Sequence, residues 1–431
     1  LFDLAGINSA TVNVFSWAKL QPSEEEYNFA ELDEIIDTLS KANIQIVLAT
    51  STGAMPAWLV RKYPEVARVD YEGRRHKFGG RHNACPNSPA FQHYAHELAH
   101  RLAERYGSNP HVVCWHVSNE YGGACYCENC EKAFRVWLRK RYGTLDALNA
   151  AWNTSFWGHT FYDWDDIVAP NALGDGISSD KTCFAGMSID YRRFMSDSLL
   201  GNFTMERDAI RECDPSTPIT TNLMGTYKGL DYFRWAKQMD IVSWDNYPSF
   251  DTPWSMTAMN HDLMRSLKGK PFMLMEQTPS QQNWQPYNSL KRPGQMRAQS
   301  VQTLAHGADT IQFFQLRRSK GGCEKFHSAV IEHAGKRPGL PGGSRFRQRT
   351  QKPDRDAGQR LSCQGGHDLR LGQLLGVGVH QRPQRGSEIR GSAAPLLPLF
   401  LRAEHSRGYG ACGRPATRSS SRLCCICAKR V

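Results

Sequence analysis

Long apolar runs are missing from this chain. No stretch of its 431 residues approaches the roughly 18 apolar residues that a bilayer span requires, so no membrane partner is expected. Nor does the start read as a leader. The chain opens on Leu1, and residues 1–7 carry neither the basic nor the apolar region of a signal peptide, so the start reads as cut. A cytoplasmic location is expected, with export left open. No P-loop or dinucleotide fingerprint follows an apolar run, and Gly79-Gly80 is too short to cradle a phosphate. Nucleotide chemistry and an organic cofactor are therefore not expected. No internal repeat is present.

An evenly basic surface is also lacking, although the net charge is +11. Of the 53 basic and 42 acidic residues, 19 and 5 lie after Gly335, which leaves 34 and 37 before it. The body is thus near −3 and the tail near +14, and an argument for polyanion binding applies only to the tail. The tail, 336–431, has 16 Arg against 3 Lys, and Phe346, Phe400 and Tyr409 are its aromatics. It is rich in Gly, Pro, Ser and Gln and has almost no periodicity. Translation out of frame from a GC-rich gene explains such a composition best. A disordered basic arm and a nucleic-acid-binding arm stand as alternatives, and no nucleic-acid partner is expected.

What the body does contain is alternation. Short β-rich runs at 11–15, 44–50, 112–117, 219–223, 241–244, 272–275 and 310–314 are separated by amphipathic stretches, with helical patterns at 31–41, 91–106, 131–141 and 189–212. This is the pattern of a parallel sheet with crossover helices. The predicted fold is an α/β (β/α)₈ TIM barrel over 1–335, followed by the irregular basic tail. Seven strands are read here, and residues 1–6 read as the end of a helix feeding the first of them. The barrel is therefore expected to lack its first strand. Long loops at 62–89 and 152–181, rich in Gly, Asn, Asp, His and aromatics, are expected to carry function. His93, His96 and His100 fall at helical spacing and read as a solvated face.

Each strand ends in polar or aromatic residues, and in such barrels the C-terminal strand ends carry the chemistry. Two of them end in glutamate: Asn119-Glu120 and Glu276. Glycoside cleavage needs two carboxyl groups, one to protonate the leaving oxygen and one to attack or to activate water. Counting the strand expected ahead of residue 1, the two glutamates end the fourth and seventh strands and face one mouth. Aromatics such as Trp157 and Trp284 supply the flat apolar faces on which sugar C–H groups stack. The cluster Cys125-Tyr-Cys127-Glu-Asn-Cys130 reads as a metal site before a disulfide framework and fits tetrahedral Zn²⁺ if a fourth thiolate comes from elsewhere.

Seven blocks, in order, resemble the β-galactosidases of glycoside hydrolase family 42. They are Phe15-Ser-Trp17-Ala, Arg81-His-Asn-Ala-Cys-Pro86, Ser118-Asn-Glu-Tyr121-Gly, Cys125-Tyr-Cys-Glu-Asn-Cys130, Ser243-Trp-Asp-Asn-Tyr-Pro248, Met275-Glu-Gln-Thr-Pro279 and Gly322-Cys-Glu-Lys-Phe-His327. The resemblance runs from residue 1 to about 335. It implies hydrolysis of terminal non-reducing β-D-galactosides with retention, Glu120 as acid/base and Glu276 as nucleophile, with the carboxyl groups about 5 to 5.5 Å apart. It further implies that Arg81 and Asn119 hold sugar hydroxyls, that Trp157, Tyr247 and Trp284 shape the galactose pocket, and that Glu324 and His327 bind its far hydroxyls. The same resemblance places the fourth zinc ligand at Cys85, making a structural site, and suggests a homotrimer for intact relatives.

The resemblance leaves a second reading of the chain itself. A barrel without one strand exposes two sheet edges, a loss larger than the roughly 5 to 15 kcal/mol of net stability typical of a domain. An inactive or only sugar-binding fragment is thus the alternative, with activity expected of a longer product.

Overall fold

The computed structural model describes Phe2, residues 6–175 and 182–333, and the backbone strand Cys425–Cys427. Seven stretches of the body form parallel ladders, much as the sequence pattern predicts. They are β1 (Ser9–Val12), β2 (Gln45–Ala49), β3 (Val112–His116), the pair β4 (Ile219–Thr220) and β5 (Asn222–Leu223), β6 (Ser243–Asp245), β7 (Phe272–Glu276) and β8 (Ala308–Phe313). β4 and β5 are one stretch broken at Thr221. β4 pairs with β3 and β5 with β6, so the break joins the two halves of the sheet.

The place between β1 and β8, where the sequence leaves a strand unaccounted for, holds β9 (Cys425–Cys427). β9 runs parallel to both neighbours, with Ala10 opposite Ile426 on one side and Phe313 opposite Ile426 on the other. Two facing edges with unpaired N–H and C=O groups form a template that any extended segment can complete. The rest of the tail, including 358–421, lies outside the described residues.

Both faces of the sheet are buried, which is why the strands read as continuous apolar runs. Alternate residues divide between two clusters. Ile46, Leu48, Trp115, Phe272 and Leu274 point outward into the main core, whereas Val47, Cys114, Met273 and Met275 fill the barrel interior. Thr11 adds a polar contact inside, its Oγ1 donating to Gln312 Oε1 at 2.5 Å.

Helices cover the outer face. Pro89–Tyr106 starts on Ser88, whose hydroxyl accepts from the Phe91 N–H, and has Pro at its first position, a combination that favours helix initiation. Phe91, Ala95, Leu98, Leu102 and Tyr106 make its buried stripe. On the other side His93 is exposed, and His96 and His100 are half-buried beside Glu97 and Glu212, matching the solvated face read from their spacing. The stripe packs on the long helix Ala185–Cys213.

Candidate active site

The strand ends gather unusual backbone. Asn13, Ser51, Ser118 and Glu120, just beyond β1, β2 and β3, all have positive φ. Non-glycine residues in this region are uncommon and collect where the surrounding structure imposes the turn for function. Glu120 has φ +37°, and its backbone N–H is held by Asn222 Oδ1 at 2.8 Å.

The Glu120 and Glu276 side chains line one pocket, together with Val14, Phe15, Arg81, Tyr247, Asn283, Trp284, Gln285, Phe314, Glu324 and His327. Arg81, delivered by the 62–89 loop, donates to Glu120 Oε2 at 2.8 Å, and Asn119 Nδ2 reaches the same oxygen at 3.2 Å. On the opposite wall the Tyr247 hydroxyl donates to Glu276 Oε2 at 2.8 Å. Trp284 Nε1 donates to Glu324 Oε1 at 3.3 Å while the indole remains 67% exposed, which leaves a flat apolar face at the mouth. His327 packs edge-on against Tyr247 and Phe314.

One cation serves several acids here. Burial pulls the Arg81 pKa down, but Glu120, Glu276, Glu324 and Asp245 together outweigh it and hold the guanidinium above its ordinary value. Asp245, at the end of β6, is buried among these acids. Burial first, then the charges of Glu276 and Glu120, push its carboxyl well above the usual range, which favours the neutral acid. Burial and the neighbouring Glu276 likewise push Tyr247 well above the ordinary phenol, keeping it a donor.

Seven of the nine residues expected in the site line the pocket. Asn119 is buried just beneath it, 1% exposed, and contacts Glu120. Trp157 is not brought in: it is 71% exposed, lies outside the lining, and stacks on Phe156 with ring centroids 5.4 Å apart. Asn222 and Asp245 are polar strand ends in the sequence, and Asp245 falls within the block 243–248, but the sequence alone assigns neither of them a role. Phe15 and Phe314 also line the pocket, and their signal was the same strand-end position.

The sulfur atoms of Cys85, Cys125, Cys127 and Cys130 lie within 4.8 Å of one another, and all four residues are buried. Cys85 Sγ is 3.4 Å from Cys127 Sγ and 3.5 Å from Cys130 Sγ. A tetrahedral zinc with Zn–S bonds of about 2.3 Å sets its sulfurs about 3.8 Å apart, so the cage has the right size. The surroundings fit thiolates as well: the Val69 N–H and Asn87 Nδ2 point at Cys125 and Cys130, and Arg68 is buried alongside. Burial lowers the Arg68 pKa against the opposing pull of Cys125 and Cys85. Gly123, at φ +77°, passes so near that an added Cβ would sit 2.1 Å from Arg68 Nη1. Among the described residues this is the one cluster able to hold a metal ion.

A family description for β-galactosidases, glycoside hydrolase family 42, matches residues 1–350. The β-galactosidase BgaP of Planococcus sp. (strain L4) is 64% identical over 336 residues, covering 78% of this chain and 50% of that protein. The β-galactosidase LacZ of Lactobacillus acidophilus is 58% identical over 337 residues, again 78% and 50%. Among solved structures, the crystal structure of a β-galactosidase from Bacillus circulans sp. alkalophilus superposes with a TM-score of 0.79 at 65% identity, covering 80% of this chain and 52% of that one. The chain spans about half the length of the curated relatives it matches. A parallel α/β barrel with two glutamates at facing strand ends, matched over most of its length by this family, places the chain in glycoside hydrolase family 42.

Proposed function

We propose that this site hydrolyses terminal non-reducing β-D-galactosides by double displacement. Glu276 attacks the anomeric carbon as Glu120 protonates the leaving oxygen. Water activated by Glu120 then releases the sugar with retained configuration. The observation that carries this reading is the placement of two carboxyl groups, at the ends of β3 and β7, on one pocket lined by Trp284, Tyr247, Glu324 and His327. Arg81 and Asn119 are assigned the sugar hydroxyls and Tyr247 a wall of the galactose pocket, a reading supported by the hydrogen bonds of Arg81 and Asn119 to Glu120 and of Tyr247 to Glu276. Glu324 and His327 are assigned the far hydroxyls, and Trp284 the apolar face of the ring. Trp157, exposed and apart, is assigned to contacts outside the pocket.

Cys85, Cys125, Cys127 and Cys130 are assigned a structural Zn²⁺. Four sulfur ligands leave no open position for chemistry. The ion would pin the loop bearing Arg81 to the segment that follows Glu120. The same reading includes a cytoplasmic location and homotrimeric assembly of intact relatives. Among the described residues no helix is long and apolar enough to cross a membrane.

The test is turnover of a chromogenic β-galactoside by the 431-residue chain, followed by Glu276→Ala. Loss of the nucleophile should lower kcat by at least roughly 10⁴-fold, on the scale seen for other covalent nucleophiles. Added azide should restore part of the rate and yield the α-galactosyl azide, since it enters on the face that Glu276 vacates. Full activity of Glu276→Ala would remove the assignment. Binding of galactose by a wild-type chain with no turnover would favour the fragment reading instead.

A further inference from the structure

Four hydrogen bonds meet on one side chain that the reaction scheme above does not use. Asn222 opens β5 and is 1% exposed. Its Oδ1 accepts from the Glu120 backbone N–H at 2.8 Å and faces His116 Nε2 at 2.9 Å. Its Nδ2 donates to Asp245 Oδ2 at 2.6 Å and to Asn119 Oδ1 at 3.1 Å. An amide has two N–H donors and two acceptor lone pairs, and here all four are engaged.

The orientation of the amide is fixed by its surroundings. A backbone N–H can only donate, so the atom facing Glu120 N must be the oxygen. Two acceptors, one of them a carboxyl, lie on the other side. Burial depresses the His116 pKa to about 4, so this ring is neutral at working pH and presents Nε2–H to Asn222. Among these side-chain contacts, the one to Glu120 N reaches the backbone of a residue with φ +37°, a conformation that a glutamate does not favour by itself.

We propose that Asn222 is the positioning residue of the acid/base: its amide clamps the left-handed backbone of Glu120 and, through Asn119, steadies the Glu120 carboxyl from a second side. Asn119 completes the chain of contact, donating from its own Nδ2 to Glu120 Oε2 at 3.2 Å. Asp245 anchors the clamp to β6. The inference rests on the proposed galactoside hydrolysis and specifies how one of its two acids is aimed.

The experiment compares wild type, Asn222→Ala and Asn222→Asp in the full 431-residue chain on lactose and on 2,4-dinitrophenyl β-galactoside, with thermal melts of each. Lactose needs a proton delivered to its leaving oxygen, whereas dinitrophenolate leaves without one. A mis-aimed acid should therefore lower kcat/KM for lactose on the order of 100-fold, the lower range for acid catalysis, and for the activated substrate by less than about 10-fold. Azide should accelerate turnover of the activated substrate by the variants and give the β-galactosyl azide, because it attacks the glycosyl-enzyme without a general base. Asn222→Asp keeps the size but sets oxygen against the acceptors of Asn119 and Asp245, and should show the same split. Equal losses on both substrates, no loss, or failure of both variants to fold would overturn the inference while leaving the hydrolase reading intact. A wild-type chain that hydrolyses neither substrate would overturn both.

Discussion

Glu276 and Tyr247 form the simplest charge-assisted contact of the pocket, one phenol O–H on one carboxylate oxygen at 2.8 Å. Such a bond favours the ionised acceptor, and a buried hydrogen bond to a charged group is worth about 1.5 to 3 kcal/mol. Tyr247→Phe keeps the ring that packs on His327 and removes only the donor. We expect kcat/KM to fall roughly 10- to 100-fold, and the acidic limb of its pH profile to move to higher pH, because the carboxylate loses a partner of its charged form. Unchanged kinetics across the acidic limb would show that the bond is dispensable. At this scale the sequence is informative where a residue type is rare for its place. A glutamate that ends an apolar strand run stands out, so Glu120 and Glu276 are readable. Asn222 does not stand out and Asp245 stands out only within its block, because polar strand ends are common and their meaning lies in contacts with residues about 100 and 23 positions away. Trp157 carries the same aromatic signal as Trp284, and only its exposed position beside Phe156 separates them.

Between elements, the long helix Ala185–Cys213 reaches the barrel mouth through a buried carboxyl. Glu206 is fully buried and accepts from Thr50 and Thr52 beyond β2 and from Tyr121 beside Glu120. Burial raises its pKa to about 7 against the lowering pull of those three hydroxyls. A folded-state pKa above the unfolded value of 4.5 means that the folded chain binds the extra proton. Stability from this group is fully present below pH 4.5 and is lost as pH rises through about 7, by about 3 kcal/mol in all. Glu206→Gln cannot ionise, so its stability relative to wild type should climb across that window and then level off. Denaturant melts at several pH values measure this, and a difference flat with pH would mean that Glu206 stays charged when folded. The cysteine cage ties two other elements, the 62–89 loop and the start of helix Glu128–Tyr142. Cys130→Ser should lose the bound zinc measured by elemental analysis and lower the melting temperature, since a ligand of the folded state alone stabilises it. A wild-type chain that retains no zinc after purification in its presence would remove the metal assignment. The helices were legible where apolar spacing is local, as in the stripe from Phe91 to Tyr106, whereas the Ser88 cap that starts this helix at Pro89 was not read. The break of one strand at Thr221 was not, because it depends on β3 and β6 pulling the two segments to different partners.

For the whole molecule, the ladder depends on a segment that the sequence pattern assigns to no barrel. β9 sits opposite Ser9, Ala10 and Thr11 on one side and Gln312 and Phe313 on the other. The six-residue apolar run 423–428 suits a strand of such a sheet, but it stands about 110 residues beyond the last body strand in a tail without periodicity, so only the two edges it joins reveal its place. A chain ending at Gly335 would leave the facing edges of β1 and β8 without partners, and each buried backbone group left unsatisfied costs about 1 to 3 kcal/mol. That truncation should therefore melt at lower temperature and aggregate more readily than the 431-residue chain. Removing the tail also removes its excess of positive charge, so the truncation alone cannot separate strand pairing from electrostatics. Ile426→Pro separates them. It leaves the charge untouched, deletes one ladder N–H and places a ring where a central strand does not tolerate one. If β9 closes the barrel, Ile426→Pro should reproduce most of the loss in melting temperature, at low and high salt alike, because buried pairing is not screened. If the tail acts through charge, only the truncation should change the melt, and the change should fade as salt is raised. Equal melting of all three chains would mean that the barrel stands without β9.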